Sequence, residues 1–423
     1  MKTYYVTRKN IKRVLANVIE KRFIGKNSEK RVLKIIEDVR TRGDKALIEY
    51  TKTFDNITLS KETIMVKSEE IKDAYSYVHE EQINALKILK ENIERVEKET
   101  LNKMFFKIED DGVQIIQTLR PINSVGCYIP GGKASYPSTV LMAVVPAKVA
   151  GVKRIVIASP PKNLSPLLLV AADIAGASEI YRVGGPQAIA ALAYGTETVK
   201  PVEKIVGPGG KYVTLAKAAV AHDVAIDMLA GPSELIIYAD DEDYSEQIVL
   251  DLIAQAEHSS DTLCGLVTTS SHLIKRVANL LPEYIMSSYR RDIVNASIER
   301  NGFLALAEEQ EVAIDFINEL APEHLEIFSK DYEKILVTVK NAGAIMVNGS
   351  SVLTDYYCGI NHILPTGGHA KIRGGLSCLD FVKVMKVIVT LDRYSEKIFF
   401  VVKQLGESEG LLNHVKSLKY KMK

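Results

Sequence analysis

Four separated stretches of the chain carry side chains that can bind a metal ion or move a proton. Only 8 of the 423 residues are histidine, and four of these eight fall in the four stretches, each near a carboxylate or a carboxamide. Imidazole nitrogen combined with carboxylate or amide oxygen suits a divalent ion of borderline softness, zinc first, with manganese and cobalt as alternatives. This clustering favours a metal-dependent enzyme. The stretches are residues 255–258, 322–324, 355–362 and 409–414.

Gln255 and His258 are three residues apart in a predicted helix, so both side chains point to one face. The alternative is a helix end at which Gln255 is solvated and His258 interacts with the C-terminal dipole. Glutamine is an uncommon metal ligand, and the pair alone does not decide between a ligand site and a helix end.

Glu323 and His324 follow Pro322, which predicts the first turn of a helix. Neighbouring residues on a helix point about 100° apart, so the two side chains would reach two parts of one substrate. A Glu–His pair can activate water and accept a proton. The alternative is a glutamate stabilised by the helix dipole beside a packed histidine.

The other two stretches differ in their predicted structure. Asp355 and His362 flank a stretch rich in turn residues, which predicts a loop of the kind that carries functional groups. Glu409 and His414 lie five apart on the predicted last helix, where the alternative is an exposed helix face.

The elements that must position these side chains alternate between strands and helices. Residues 140–240 and 244–347 each contain short β-rich runs separated by helical runs, which predicts right-handed βαβ crossovers. The predicted fold is α/β, with two tandem incomplete Rossmann-like modules, mostly parallel sheets, and helical N- and C-terminal arms without a sheet of their own. The predicted division is an N-terminal arm (1–25), a first α/β domain (26–127 with 235–377), a second, cofactor-side α/β domain (128–234) and a C-terminal arm (378–423).

Composition excludes several classes of function. A chain of 423 residues predicts two or more domains. The net charge is +1, from 54 basic and 53 acidic residues, which argues against binding of nucleic acid or of an anionic membrane. The absence of a signal peptide or a long apolar stretch, with four cysteines lacking C-x-x-C spacing, predicts a cytoplasmic protein with reduced thiols.

The glycine pairs and runs do not form a usual nucleotide-binding motif. No G-x-G-x-x-G opens a helix after a strand, and no P-loop sequence is present. Gly131-Gly132, Gly184-Gly185 and the run 207–210 follow predicted strands, where α/β sheets bind ligands. Each alone is more typical of a tight turn than of a phosphate cradle.

Eight stretches together resemble the histidinol dehydrogenase family, in the same order and across nearly the whole chain. They include Gly-Pro-Ser-Glu at 231–234 and Ala-Pro-Glu-His at 321–324, followed by Asp355 and His362 at matching spacing. The stretches are residues 126–132, 136–142, 184–190, 206–209, 230–234, 255–258, 321–326 and 361–366.

The resemblance implies oxidation of L-histidinol to L-histidine, the last steps of histidine biosynthesis, through histidinaldehyde and two NAD+-dependent steps. It implies one Zn2+ per subunit in a homodimer whose sites are shared between subunits, with His324 as proton acceptor and Glu323 as activator of water. The implied zinc ligands are Gln255, His258, Asp355 and His414, the last from the partner. The implied substrate contacts are Ser233, Gln255, His258, His324, Asp355, His362, Glu409 and His414.

The resemblance also places NAD+ near Tyr128 and Gln187. This chain departs from the commonest family pattern at Gly210, where many members carry an asparagine that helps to hold the cofactor. This chain therefore lacks the side chain that makes the nicotinamide contact at that position.

Three other functions compete with this interpretation. A related zinc- and NAD-dependent dehydrogenase would keep Glu323, His324 and the metal ligands but act on another small alcohol. A zinc hydrolase would use Glu323 on water and need no NAD+. A non-catalytic α/β binding or scaffold protein would tolerate the loss of Glu323 and His324.

Overall fold

The structure is a computed structural model, and it describes residues 1–19, 26–131, 135–391 and 394–421. Gly132 and parts of both predicted arms (20–25, 392–393 and 422–423) lie outside the described residues. The helices are α1 (Ile11–Ile19), α2 (Lys26–Arg42), α3 (Asp44–Asp55), α4 (Lys61–Ile64), α5 (Ser68–Ala74), α6 (Glu80–Lys103), α7 (Pro137–Ala150), α8 (Pro166–Ala175), α9 (Gly185–Tyr194), α10 (Lys211–Val220), α11 (Ser245–Ala256), α12 (Ser271–Ser287), α13 (Arg291–Asn301), α14 (Gln310–Leu320), α15 (Tyr332–Thr338), α16 (Val352–Tyr356), α17 (Glu396–Ser408) and α18 (Leu412–Lys421).

The strands within the described residues form three sheets, and two of these sheets are parallel throughout. The six-stranded sheet has the order β1-β11-β10-β9-β12-β13, and the five-stranded sheet has the order β6-β5-β4-β7-β8. The strands are β1 (Lys2–Val6), β2 (Phe106–Asp110), β3 (Val113–Pro121), β4 (Ser124–Tyr128), β5 (Arg154–Ala158), β6 (Glu179–Tyr181), β7 (Lys204–Val206), β8 (Ala225–Ile226), β9 (Glu234–Ala239), β10 (Leu263–Thr268), β11 (Phe303–Ala307), β12 (His324–Phe328), β13 (Ala344–Val347) and β14 (Val382–Thr390).

The two parallel sheets share one topology. Read in chain order, each contains five strands arranged third-second-first-fourth-fifth, with β1 added at one edge of the larger sheet. The order reverses between β4 and β7 and between β9 and β12, and these switch points are where α/β sheets open a crevice. The predicted α/β fold with two tandem modules is confirmed.

Helices cover both faces of each parallel sheet. Apolar residues of α6, α7 and α8 pack on one face of the five-stranded sheet, and those of α2, α9 and α10 pack on the other. The six-stranded sheet lies between α1, α14 and α15 on one side and α11, α12 and α13 on the other. Strands β9, β10 and β12 are buried along their whole length, as expected for strands covered on both faces.

The terminal arms differ from the prediction of arms without a sheet. In the N-terminal arm, β1 pairs in parallel with β11 and extends the six-stranded sheet. In the C-terminal arm, β14 pairs with β3 over nine residues in a three-stranded antiparallel sheet, before α17 and α18 begin. Short alternating runs at chain ends gain their strand structure from a distant partner, which local periodicity does not reveal.

Helices α2 and α6, which fall in the segment 26–127, pack on the five-stranded sheet, while the predicted division into domains stays a prediction. Val32 and Val39 of α2 and Leu89 and Ile93 of α6 join the two cores of the five-stranded sheet, because their apolar faces cover that sheet's helices and strands. Within the described residues, no helix is long and apolar enough to cross a membrane.

Candidate active site

The candidate site lies at the amino ends of the neighbouring strands β9 and β12, the end of the six-stranded sheet opposite to the carboxyl-end crevice of its switch point. Glu234 is the first residue of β9, and His324 is the first residue of β12. Helix α11 runs back past the sheet and brings Gln255 and His258 to the same end. Asp355 comes from the short helix α16, and His362 comes from the chain that follows it.

The prediction that Glu323 and His324 begin a helix was wrong. His324 starts a strand that pairs with β9 and β13, and Glu323 directly precedes it. Ala321 has a left-handed backbone (φ 49°) that ends α14, so Pro322 leads out of one helix instead of into another. Extended backbone sends the two side chains to opposite sides, although the Nδ1 atom of His324 lies 3.7 Å from Glu323 Oε2.

His324 is held in one tautomer with one nitrogen unused. Its Nδ1 atom lies 3.2 Å from the carbonyl oxygen of Glu234, which can only accept, so Nδ1 carries the hydrogen. Its Nε2 atom is buried and has no hydrogen-bond partner in the protein. Burial lowers the pKa of His324 to about 4, against the opposing charge of Asp355. A neutral imidazole with a free Nε2 is ready to accept a proton.

Glu323 is bound by its neighbour Glu234 through reciprocal hydrogen bonds. The backbone N–H of Glu234 donates to Glu323 Oε2 at 2.7 Å, and the backbone N–H of Glu323 donates to Glu234 Oε2 at 3.3 Å. The second oxygen of Glu234 accepts from the backbone of Gly367 at 2.7 Å. Burial, followed by the charge of Glu234, raises the pKa of Glu323 well above its ordinary value. The protonated form of Glu323 is therefore favoured more than that of an exposed glutamate.

Of the predicted metal ligands, Gln255 is buried, Asp355 is half-buried and His258 is in contact with solvent. Desolvation by the protein around its ring still lowers the pKa of His258, which favours the neutral imidazole that binds a cation. Burial acts to raise the pKa of Asp355, but nearby His362 and two further histidines outweigh it and lower that pKa. The amide nitrogen of Gln255 is buried without a partner, so this side chain needs a group that the chain itself does not supply. The donor set fits a divalent ion of borderline softness.

His362 connects this group to the other module. Its Nδ1 atom lies 3.2 Å from Asp355 Oδ1, and its Nε2 atom lies 3.1 Å from the hydroxyl of Thr139 on α7. The charges of His258, His324 and His362 all act on the pKa of Asp355, which places these four side chains close together.

Glu409 and His414 are not brought to this group within one chain. Glu409 ends α17, and His414 lies on α18, which packs against α17; both residues are exposed. The single helix predicted to carry both is therefore two helices, separated by a turn at Gly410 (φ 74°). In the described part of the chain, no three or more His, Cys, Asp or Glu residues form a group that could hold a metal ion. Ser233, which directly precedes Glu234, is half-buried beside the site.

A cavity of about 370 Å³ lies at the carboxyl ends of β6 and β7, where the predicted cofactor residues are found. The amino ends of α9 and α10 line it through Gln187 and Gly210, together with Arg31. Gln187 is buried and its Oε1 atom has no partner. Tyr128 is buried, and its hydroxyl accepts from the backbone N–H of Gly185, which also lines the cavity. Two helix amino ends beside a cationic side chain suit an anionic ligand.

The sequence reasoning missed Glu234, although it stands next to Ser233 in a recognised stretch. Its role depends on bonds between residues 89 positions apart, which only the folded sheet creates. It also missed Thr139 and a buried carboxyl pair, Asp251 and Glu326. Glu326 is two residues beyond His324, which is the period of a strand, so a correct strand prediction would have placed both on one face.

Proteins of similar sequence include several histidinol dehydrogenases. A sequence model described as histidinol dehydrogenase matches residues 20–422. The chain is 43% identical over 399 residues to the histidinol dehydrogenase of Oceanobacillus iheyensis, with 93% of each chain covered. It is 42% identical over 427 residues to that of Geobacillus kaustophilus, covering 97% of this chain and 99% of the relative.

Solved structures agree with these matches. The crystal structure of histidinol dehydrogenase from Elizabethkingia anophelis has a TM-score of 0.92 and 33% identity, covering 100% of this chain and 98% of that chain. An acetylating aldehyde dehydrogenase from Geobacillus thermoglucosidasius, 14% identical with a TM-score of 0.50, shares the fold alone. From the match along nearly its whole length and the identity to these relatives, the chain belongs to the histidinol dehydrogenase family.

Proposed function

We propose that this protein oxidises L-histidinol to L-histidine in two successive steps, each of which reduces one NAD+, with histidinaldehyde held between them. The observation that carries the proposal is the buried pair at the start of β12. His324 offers an unpaired, neutral Nε2 atom, and the carboxyl group of Glu323 lies next to the same ring, with Oε2 3.7 Å from Nδ1. Two consecutive oxidations of one carbon release protons, and an imidazole and a carboxylate can accept them.

In the first oxidation, His324 accepts the proton of the substrate hydroxyl at Nε2 while the carbon gives a hydride to NAD+. The Nδ1–H group of His324 stays on the carbonyl oxygen of Glu234, which orients the ring and stabilises the imidazolium that forms. The products are the aldehyde, NADH and a protonated His324, which must lose its proton before the second step.

In the second oxidation, water adds to the aldehyde and the hydrate gives a second hydride to NAD+. Glu323 must be ionised to take a proton from that water, and its raised pKa opposes this in the free protein. A positive charge beside this carboxyl group, such as that of an oxidised nicotinamide, would lower the pKa of Glu323 and favour the carboxylate. His324 accepts the remaining hydroxyl proton as the hydrate becomes the acid.

We propose that Gln255, His258 and Asp355 of one chain, with His414 of the partner subunit, hold one Zn2+. Bound zinc supplies a fixed point for the imidazole and amine of the substrate, so that the reacting carbon is oriented. Ser233, His362 and Glu409 complete the proposed substrate contacts, and Tyr128 and Gln187 those of NAD+. The amide nitrogen of Gln255 is buried without a partner, and a 180° turn of the amide would present at that position the oxygen atom that binds a metal ion.

The proposal includes a homodimer, because His414 and Glu409 do not reach the site of their own chain. The C-terminal arm carries exposed apolar side chains on both its strand and its helices, and such a continuous surface is typical of an interface. Ile388, Phe400 and Leu405 are 69%, 63% and 57% exposed in one chain. We also propose a cytoplasmic location, which agrees with four free cysteines.

The test is a product ratio. Zinc-loaded protein is incubated with L-histidinol and NAD+, and the NADH formed is counted against the histidine released. A ratio of two supports the proposal. A ratio near one, or NADH without histidine, contradicts it. NADH with another small alcohol and none with histidinol would favour the related dehydrogenase, and turnover without NAD+ would favour a hydrolase.

Subunit sharing has a separate test. His414→Asn and Gln255→Ala each remove one proposed ligand, so each homodimer should lose activity. In a mixed dimer one of the two sites has all its ligands, so each mixed dimer should have about half of the wild-type activity. Because random pairing makes about half of the dimers mixed, the mixture as a whole should regain about a quarter. Inactive mixtures, with exchange of subunits verified by mass spectrometry, would exclude a shared site.

A further inference from the structure

A second pair of buried carboxyl groups lies one layer below the catalytic residues. Glu326 follows His324 by two residues on β12, so both point to the same face of the strand. Asp251 precedes Gln255 by four residues on α11, so both lie on the same face of the helix. Asp251 and Glu326 are 3% and 0% exposed. The catalytic face of each element thus continues inward into an acidic pair that the proposed reaction does not use.

This pair also contacts the chain segment that presents Asp355. The backbone N–H of Ser351 donates to Glu326 Oε1 at 2.6 Å, and the hydroxyl of Ser350 donates to Asp251 Oδ1 at 2.6 Å. Helix α16 begins directly after these serines. Gln247, one turn earlier on α11, donates to both oxygens of Asp251 at 3.0 and 2.9 Å. Three separate segments of the site therefore meet at these two carboxyl groups.

The arrangement needs one proton between the two carboxyl groups. If both carboxyl groups were ionised, they could only accept hydrogen bonds, and the buried Oε2 atom of Glu326 would have no partner. A proton on that oxygen turns it into a donor to the carboxylate of Asp251. Burial, followed by the charge of Asp251, raises the pKa of Glu326 to about 8, against the opposing bonds from Ser351.

The other groups around Glu326 do not compete for this proton. Across the sheet, Glu326 is in register with Ile237 of β9 and Met346 of β13, which are apolar. The Cys264 thiol of β10 faces it, and burial raises the pKa of Cys264 so that this thiol stays neutral. Its hydrogen is directed to the carbonyl oxygen of Leu252 at 3.4 Å.

We propose that Glu326 is a positioning residue of the active site, whose neutral carboxyl group joins Asp251 to Ser351 and so fixes Gln255, His324 and Asp355 relative to one another. The roles of Gln255 and Asp355 rest on the proposed function. Outer contacts of this kind orient the groups that bind a metal ion, and their loss typically costs 10–100-fold in metal affinity.

Two variants separate positioning from bulk. Glu326→Gln keeps one donor and one acceptor in the same shape and cannot ionise, whereas Glu326→Leu keeps the volume and removes both. Zinc affinity is measured by competition with a chromophoric chelator, without substrate or cofactor. We expect Glu326→Leu to bind zinc about tenfold or more weakly than wild type, and Glu326→Gln to recover most of that loss.

The pH dependence of zinc affinity distinguishes the proposed role of Glu326 from a merely structural one, because a structural role does not depend on its ionisation. At pH 9, one unit above the pKa of about 8, roughly nine-tenths of Glu326 is ionised. Wild type should therefore lose up to about tenfold in zinc affinity relative to Glu326→Gln between pH 7 and pH 9. Comparing the two proteins at each pH cancels the titration of the zinc ligands themselves.

Two results would overturn the proposal. One is a folded Glu326→Leu protein with wild-type zinc affinity. The other is a Glu326→Gln protein whose zinc affinity equals that of wild type at every pH. This second test can be made even if Glu326→Leu does not fold. Failure of the proposed function is distinguishable, because it shows as absent histidinol oxidation by wild type while these zinc titrations still respond to Glu326.

Discussion

Replacing Gly210 by asparagine should strengthen cofactor binding, because the structure leaves room for the asparagine side chain that the family resemblance implies at this position. Gly210 is the N-cap of α10 with φ −68° and ψ 173°, a backbone that any residue adopts, and it provides no side-chain cap. A Cβ atom built there meets nothing within 4 Å. The new side chain therefore enters the cavity beside Gln187 without strain.

Two magnitudes follow from this position. Asparagine is a better N-cap than glycine by a few tenths of a kcal/mol, so the melting temperature should rise slightly. One neutral hydrogen bond to the cofactor contributes about 0.5–1.5 kcal/mol, which corresponds to roughly a two- to tenfold lower KM for NAD+. The assay measures initial NADH formation at saturating histidinol over a range of NAD+ concentrations, together with calorimetric unfolding.

Gly210→Ala is the matched control, since it adds the Cβ atom without the amide. We expect it to leave the KM for NAD+ near that of wild type. An unchanged or higher KM in Gly210→Asn, in a protein that unfolds at or above the wild-type temperature, would refute the reasoning. It would mean that the cavity at α9 and α10 does not hold the part of the cofactor inferred here.

Three further predictions use buried charges. Lys217 is buried in an ion pair with Asp227; Lys217 donates to the carbonyl oxygen of Gly207, and Asp227 accepts from its N–H. Lys217→Met should therefore cost about 3–5 kcal/mol in urea unfolding, and a loss below about 1 kcal/mol would contradict a tight buried pair. Glu234→Gln removes a charge that raises the pKa of Glu323, so the pH profile of histidinaldehyde oxidation should shift to lower pH, and an unmoved profile would exclude this coupling. The raised pKa of Glu326 contributes stability that is full below about pH 4.5 and is lost as the pH rises to about 8. Over this range, the unfolding free energy of metal-free wild type should fall relative to that of Glu326→Gln by up to about 1.4 kcal/mol per pH unit. Parallel stability curves would show that Glu326 is ionised in the folded protein.

Much of the fold is readable from the sequence because its strands and helices are short, alternating and strongly apolar. The glycine runs at 184–185 and 207–210 lie where the pattern places them, after β6 and β7. Prediction failed where long-range pairing decides the structure. The residues from His324 to Phe328 form a strand only because β9 and β13 lie on either side, and Pro322 gave a false helix signal.

The site was predictable to the extent that side-chain chemistry marks it. The residues Gln255, His258, Asp355 and His362 carry side chains that can bind a metal ion or a proton. The structure brings them to one end of the six-stranded sheet. Glu234 could not be found from spacing, because its importance lies in its hydrogen bonds with Glu323, which is 89 residues away in the sequence. The protonation of Glu326 depends on burial and on Asp251, which sequence alone does not place together.

The central claim is that two copies of the chain bind one zinc ion at each site. Anomalous diffraction at the zinc edge, from crystals of the zinc-loaded protein, tests it most directly. The account predicts one ion per protomer, within about 2.0–2.3 Å of Gln255, His258, Asp355 and His414 of the partner subunit. An ion bound elsewhere, or one whose ligands all come from a single chain, would contradict it.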